Sequence, residues 1–169
     1  MRAGGAHAKG AAFERDSCRR LSLWLSEGEH DDLLWRSTMS GGRATVQFKK
    51  GRASRATAGD MSPISSLAER LTDLCLFECK HYRDLQLVGL YMGLKTGINL
   101  HWQEAREDAA KHKRWPVLIA KQNRLPTFML LTKPALDFFA LEAAVLAFFP
   151  SLGAYVLWFE RFLQEAQRP

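Results

Sequence analysis

The first apolar pattern along the chain has helical spacing. Within residues 9–26, Phe13, Cys18, Leu21 and Leu25 fall near one side, whereas the arginines between them fall mostly elsewhere. This spacing brings apolar side chains together on one face of a helix. We therefore expect an amphipathic helix that packs on a core.

Short apolar segments with β-favouring composition follow, and they predict strands at residues 33–38, 60–64, 74–82, 115–120 and 127–131. A polar turn is expected between the second and third of them. A helix is expected over residues 84–112, with interruptions near Gly93 and Gly97. The order helix, three strands, helix, two strands predicts an α/β fold with a mixed β-sheet flanked by helices.

The most apolar segment, residues 138–159, is almost long enough to cross a membrane. Glu142 falls inside it, however, and Pro150 and Gly153 interrupt it. Two buried core elements joined by a turn, with a last strand near residues 155–159, are the preferred interpretation. A membrane-associated protein is the alternative.

Composition limits the class of protein. The chain has 169 residues, 47% of them hydrophobic, which suits one domain over residues 1–169. A formal net charge of +6 favours a polyanionic partner or an anionic surface. Three cysteines are an odd count, typical of a reducing compartment, and the first ten residues lack the apolar region of a secretory signal.

Candidate chemistry lies in the strand at residues 74–82. Because strand side chains alternate between faces, Glu78 and Lys80 emerge side by side at the end of an otherwise apolar strand. Such charges are costly to bury unless they are paired or bound to a metal ion. Asp60 lies far enough upstream for the chain to turn back and place its side chain beside Glu78. Two carboxylates suit a hard cation such as Mg²⁺.

These residues resemble a known motif. Asp60 followed by Glu78-Cys79-Lys80 is similar to the Asp…Glu-x-Lys motif of restriction-endonuclease-like nucleases, the PD-(D/E)xK superfamily. Residues 9–15 resemble the opening helix of Holliday-junction resolvases, and either Ser37 or Ser40 resembles the serine of the segment that follows their first strand. The resemblance covers about residues 9–131 and extends to uncharacterised phage-encoded nucleases.

The resemblance implies a restriction-endonuclease-like fold and metal-dependent hydrolysis of DNA. Asp60 and Glu78, with the backbone carbonyl of Cys79, would hold Mg²⁺ or Mn²⁺. Glu14 would bind a second ion or a metal-bound water. Lys80 would orient the nucleophile or stabilise the transition state.

The resemblance also implies a homodimer that cuts branched DNA in the cytoplasm of a bacterial or phage-infected cell. A four-way junction, a flap, a nicked duplex and a recognition site all remain open as substrates. The apolar extension, residues 132–169, is either a dimer surface or part of the core. The rivals are a general or site-specific endonuclease and an inactive DNA-binding protein of the same fold.

Expected DNA contacts are basic or hydroxyl side chains near the site, namely Arg36, Ser37, Ser40, Arg43, Lys49, Lys50, Lys121 and Arg124. The basic loop at residues 41–59 is either a solvated surface loop or a phosphate-contacting arm. His81 and Tyr82 either touch the DNA backbone or only shape a turn. A zinc site at Cys75, Cys79 and His81 is disfavoured because only three ligands are visible.

Two departures from the family pattern stand out. Gly59 occupies the position before the aspartate where the family often has proline. A long basic insertion also separates Ser40 from Asp60.

Overall fold

The computed structural model describes residues 4–37, 58–87, 89, 92, 94 and 97–169. In chain order its elements are helix α1 (Gly4–Leu25), strands β1 (Leu34–Arg36) and β2 (Met61–Pro63), helix α2 (Ser66–Leu74), strand β3 (Cys75–Tyr82), helix α3 (Ile98–His112), strands β4 (Trp115–Gln122) and β5 (Phe128–Leu131), helix α4 (Lys133–Phe138), a 3-10 turn (Glu142–Ala144), strands β6 (Ala147–Phe149) and β7 (Ala154–Trp158), and helix α5 (Phe159–Glu165).

The main sheet is mixed. Its strand order is β3-β4-β5-β7-β6, with β3 parallel to β4 and every other pair antiparallel. The parallel register sets Glu78 beside Leu118 and Lys80 beside Ala120. The predicted α/β fold, a mixed sheet flanked by helices, is confirmed.

Helices cover both faces of β3 and β4, as a parallel strand pair requires. On one face, α1 packs Leu21 and Phe13 into the cluster that contains Phe77. On the other face, Ile98 and Trp102 of α3 pack in the cluster that contains the β4 and β5 side chains. The apolar run at the start of β3 is thus buried on both sides, and its charged residues follow where that burial decreases.

The C-terminal extension belongs to the core. Strand β7 pairs with β5, and β6 adds to β7. Phe139 and Phe162 are fully buried and pack their rings against each other and against Trp24 of α1. The predicted turn is present at residues 150–153, and the predicted last strand is β7. Strand β6 on the other side of the turn is only partly buried, so the prediction of two buried elements holds for β7 alone. Within the part of the chain that the structure describes, no helix has the length and apolar character of a membrane span.

The segment predicted as a polar turn is helix α2. Ser65 caps it, since its hydroxyl accepts a hydrogen bond from the Ala68 N–H at 3.2 Å. Leu67, Leu71 and Leu74 follow at helical spacing, and the fully buried Leu71 packs in the main core. Several polar residues between these leucines concealed the pattern.

The predicted strands at residues 33–38 and 60–64 form a separate ladder, not part of the main sheet. Here β1 pairs antiparallel with β2, setting Arg36 opposite Met61. The chain returns from β2 to β3 through α2, whereas a polar turn was expected.

The predicted helix over residues 84–112 is confirmed in its second half, where α3 runs from Ile98 to His112. Before α3, residues 84–87 are not helical, whereas the described residues 89 and 92 are. The predicted interruption near Gly97 is confirmed. Gly97 has a φ of +54°, and an added Cβ there would lie 2.3 Å from the Leu85 carbonyl oxygen. The Ile98 N–H donates to that same oxygen at 3.0 Å. The chain therefore folds back onto Leu85 before the helix starts.

Gly59 allows the backbone to approach β3 closely just before Asp60. Its φ is +78°, a conformation that proline cannot adopt and that other L-residues disfavour. An added Cβ would lie 2.7 Å from the Phe77 carbonyl oxygen. This chain therefore reaches Asp60 through a left-handed glycine in close contact with β3, where the family often has proline.

We expect Gly59→Ala to destabilise the protein by about 2–4 kcal/mol, because the substitution combines a left-handed backbone with a clash against a backbone oxygen. Gly28→Ala is the matched control, since Gly28 has a φ of +94° but open space around the added Cβ. That control is expected to cost only about 1–2 kcal/mol. Urea unfolding of both variants measures the difference, and equal losses would contradict the close contact.

Candidate active site

Asp60 joins the β1–β2 ladder to the open edge of β3. Its N–H donates to the Phe77 carbonyl oxygen at 2.9 Å, and its own carbonyl accepts from the Ser37 N–H at 2.9 Å. Its carboxylate accepts from the Cys79 N–H at 2.8 Å. Only 5% of Asp60 is exposed. Three hydrogen bonds thus fix a buried carboxylate against the strand.

Glu78 and Lys80 lie on one face of β3, as the strand alternation predicts. The Lys80 ammonium donates to the Glu78 carboxylate, and their side chains are 21% and 19% exposed. Each charge is therefore partly buried and paired with the other. Together with Asp60, they gather two carboxylates and one cation at the edge of the sheet.

The electrostatics of Asp60 reflect its burial. Desolvation, and then the Glu78 carboxylate, raise the pKa of Asp60 to about 8, although the Lys80 ammonium and the Cys79 N–H act in the opposite direction. The carboxylate of Glu14 adds a smaller contribution that raises it. A second cation at this place would relieve the repulsion between the carboxylates.

Lys80 is held in its charged form. Burial acts to lower its pKa, but the Coulombic attraction and hydrogen bond of Glu78 outweigh that effect and raise the pKa above its ordinary value. The side chain is therefore an ammonium group at neutral pH in this arrangement. It provides positive charge and hydrogen-bond donors rather than a free amine base.

Glu14 and Arg36 form a further ion pair beside the site. Glu14 of α1 accepts from the Arg36 guanidinium of β1, and their side chains are 13% and 28% exposed. Arg36 was predicted as a DNA contact, and here it engages Glu14. Ser37, also predicted to contact DNA, is only 1% exposed and leaves its side chain no surface for a phosphate.

The donor set fits a divalent cation of the Mg²⁺ type. Among the described residues, no three His, Cys, Asp or Glu side chains converge closely enough to form a preformed metal cage. Mg²⁺ does not require one, because it usually keeps several waters and binds through one or two carboxylates plus substrate phosphate. Asp60 and Glu78 supply those carboxylates.

The cysteines of β3 are core residues. Cys75 and Cys79 are free thiols, buried in the same cluster as Phe77. Burial raises the pKa of Cys79 well above its ordinary value. They therefore pack beside Phe77 as small apolar side chains.

A group of basic and polar side chains lies at the C-terminal ends of β3 and β4. His81 is in register with Lys121 and packs its ring against Phe13 of α1 at 5.2 Å. Lys9 of α1 donates to the Asn123 side chain. Burial, and then the Lys9 ammonium, lower the pKa of His81. This positive end of the sheet suits phosphate groups.

Of the predicted DNA contacts, Lys121 lies at this end of β4, and Arg124 follows in the exposed turn with a φ of +66°. Ser40, Arg43, Lys49 and Lys50 fall outside the described residues.

Sequence reasoning missed Lys9 as a member of this group. The spacing contained a usable signal, because Lys9 precedes Phe13 by one helical turn and Phe13 faces the core beside His81. The pairing of Glu14 with Arg36 had no comparable local signal, because the two residues lie on different elements.

A mixed sheet whose edge strand bears Glu78 and Lys80 beside a buried Asp60 is the arrangement expected of the PD-(D/E)xK class. Residues 5–142 match the family described as "Phage putative PDDEXK endonuclease". The match covers well over half of the chain, and the chain belongs to that family. Neither a search of curated proteins nor a search of solved structures returns a match.

Asp60→Asn is expected to stabilise the metal-free protein at pH 8 by roughly 1–3 kcal/mol. In the unfolded chain the carboxyl ionises near its ordinary pKa of 3.8, whereas in the folded state it ionises only near 8. The folded state therefore retains the proton over that interval, and wild-type stability falls as pH rises from about 4 to 8. The amide oxygen of asparagine can still accept from the Cys79 N–H.

Thermal unfolding in EDTA at pH 5 and pH 8 measures this effect. The difference in unfolding midpoint between Asp60→Asn and wild type should widen toward pH 8. Each kcal/mol of stability shifts the midpoint by about 2–4 °C in a chain of this size. A difference independent of pH would contradict the raised pKa of Asp60.

Proposed function

We propose that this chain is a divalent-metal-dependent DNA endonuclease that hydrolyses phosphodiester bonds and prefers branched DNA. The buried Asp60 carboxylate, fixed beside the Glu78–Lys80 pair at the open edge of β3, is the observation that carries the proposal. Two carboxylates that lie close together repel each other when both are ionised, and a bound cation would relieve that repulsion.

Asp60 and Glu78, with the Cys79 carbonyl, are the ligands that we propose for Mg²⁺ or Mn²⁺. A cation held there supplies a water of lowered pKa and offsets negative charge on the phosphate. Asp60 is prepared for this role because the Cys79 N–H fixes its carboxylate. Glu78 would bind the cation in exchange for its bond to Lys80, and Glu14 would be a further ligand in exchange for its bond to Arg36.

Lys80 acts on the reacting groups. Its ammonium lies beside a proposed ligand and is partly exposed, so it can donate to the attacking water or to the phosphate oxygens. Fixed donors of this kind stabilise the charge that develops in the transition state. Arg36 is able to exchange Glu14 for a phosphate, because its guanidinium remains partly exposed.

A DNA substrate is consistent with the positive charge at the C-terminal ends of β3 and β4, where Lys9 and Lys121 lie near His81. The proposal includes a homodimer, as the resemblance to resolvases implies, and action in a bacterial or phage-infected cell. It also treats residues 1–169 as one nuclease unit, since β7 continues the sheet that begins with β3.

The activity is tested by nicking of supercoiled plasmid with Mg²⁺, Mn²⁺ or EDTA. We expect cleavage only with a metal ion, and Lys80→Ala should reduce the rate at least about 100-fold while DNA affinity in EDTA changes little. Lys111→Ala is the matched control, because it removes an exposed lysine of α3 that pairs with nearby Asp108. Asp60→Ala serves as the inactive reference.

Retained cleavage in Lys80→Ala would overturn the role of that residue. If the wild-type protein binds DNA but cuts none with either metal, the chain is a DNA-binding protein with the same fold.

The preference for branched DNA is tested with a four-way junction, a flap, a nicked duplex and a linear duplex of matched sequence. We expect kcat/KM for at least one branched substrate to exceed that for the linear duplex by about tenfold or more, equivalent to about 1.4 kcal/mol. Equal rates on all four would indicate a general endonuclease. Cleavage at one sequence in the linear duplex would indicate a site-specific enzyme.

A further inference from the structure

An exposed aromatic pair lies next to the proposed active site. Tyr82, the last residue of β3, stacks on His101 of α3 with a centroid distance of 5.1 Å and an interplanar angle of 10°. Tyr82 is 44% exposed, whereas the His101 side chain is only 18% exposed. The imidazole covers part of one face of the phenol ring, which leaves the opposite face and the ring edge as the surfaces on which a ligand could stack.

The strand register places this ring beside the reacting groups. Glu78, Lys80 and Tyr82 alternate onto the same face of β3, and one strand repeat of about 6.6 Å separates Lys80 from Tyr82 along the strand. A phosphate beside Lys80 would therefore have a neighbouring nucleotide within reach of the aromatic ring.

The pair is fixed in position. The His101 ring approaches the Glu104 carboxylate at 3.3 Å, and α3 itself is anchored because Trp102 donates to the Leu152 carbonyl oxygen at 3.0 Å. After Tyr82, the Leu85 N–H donates to the Gln122 side chain at 3.0 Å. Little conformational freedom would be lost when a ligand stacks on the ring.

We propose that Tyr82, supported by His101, stacks on an unpaired nucleobase next to the scissile phosphate. Every nucleobase has a π-face, so this contact selects DNA with unpaired nucleotides and tolerates different sequences. A base paired inside an intact duplex has both faces occupied by its neighbours and cannot use the ring without unstacking. This inference rests on the proposed nuclease function and specifies its substrate as DNA with an unpaired nucleotide at the cut.

Two other roles for Tyr82 are weaker. A ring used only for packing α3 on the sheet would be buried, as Trp102 is at 1% exposure. A ring used for the DNA backbone would contribute its hydroxyl, which phenylalanine lacks. Stacking therefore predicts that Tyr82→Phe retains function, whereas a backbone contact predicts that it loses function.

The first measurement requires no metal and no catalysis. An oligonucleotide flap with 2-aminopurine at the unpaired position is titrated with protein in EDTA. We expect fluorescence quenching with wild type and Tyr82→Phe. Tyr82→Ala and Tyr82→Leu should lose the quenching and bind the flap about 5- to 100-fold more weakly. Tyr82→Leu keeps apolar bulk, and thermal unfolding shows whether either variant is misfolded.

The second measurement compares kcat/KM for flap and linear duplex with Mg²⁺. We expect the flap-to-duplex ratio to fall about 5- to 100-fold in Tyr82→Ala, mainly through KM for the flap. Phe148→Ala is the matched control, because Phe148 is another exposed ring, stacked on Tyr155 at 4.5 Å, in the strand at the far edge of the sheet. That control should leave the ratio unchanged.

Failure of this inference differs from failure of the proposed function. Base stacking alone is overturned if the wild-type enzyme cuts DNA and Tyr82→Ala has an unchanged flap-to-duplex ratio of kcat/KM. It is also overturned if Tyr82→Phe loses as much activity as Tyr82→Ala. A wild-type protein that cuts no DNA overturns the nuclease proposal, yet quenching in EDTA still tests Tyr82. Absence of DNA binding overturns both.

Discussion

The hydrogen bond from the Cys79 N–H to the buried Asp60 carboxylate is the interaction on which the site depends. Strand β3 is an edge strand of the main sheet, and an unpaired edge is open to other chains and to water. Asp60 covers part of that edge with its own N–H and its carboxylate, both directed at β3. The β1–β2 ladder is thereby fixed to the sheet, and Arg36 is brought to Glu14 of α1.

Ion pairs offset the charge of two of the three carboxylates near the site. Glu14 is paired with Arg36, and Glu78 with Lys80. Asp60 instead accepts the Cys79 N–H and is influenced by the Lys80 ammonium, but burial and the Glu78 carboxylate outweigh both and raise its pKa to about 8. A cation bound beside Asp60 would favour its ionised form.

Much of the site could be predicted from local sequence, because the strand period is short and strict. The apolar start of β3 identifies the strand, and alternation then sets Glu78 and Lys80 on one face. The position of Asp60 beside them required the family resemblance as well. Helix α2 was missed because polar residues separate its apolar positions, although Ser65 gives a cap signal.

Other features depend on distant parts of the chain and leave little local signal. Gly59 combines a left-handed conformation with a tertiary contact, since an added Cβ would lie 2.7 Å from the Phe77 carbonyl oxygen. Gly97 is constrained in the same way by Leu85. The order β5-β7-β6 follows from pairing between strands whose sequences permit several arrangements. Which strands pair and which tertiary contacts form decide these features more than local secondary-structure propensity does.

The parallel register of β3 and β4 connects the chemistry to the shape of the substrate. It sets His81 beside Lys121 on one face and Tyr82 beside Gln122 on the other, just beyond Glu78 and Lys80. In open α/β sheets the carboxyl ends of parallel strands are where ligands bind. Because α1 and α3 cover opposite faces, positive charge gathers beside α1 and the aromatic pair lies against α3. A nucleic acid at this end would meet charge on one side of β3 and a stacking surface on the other.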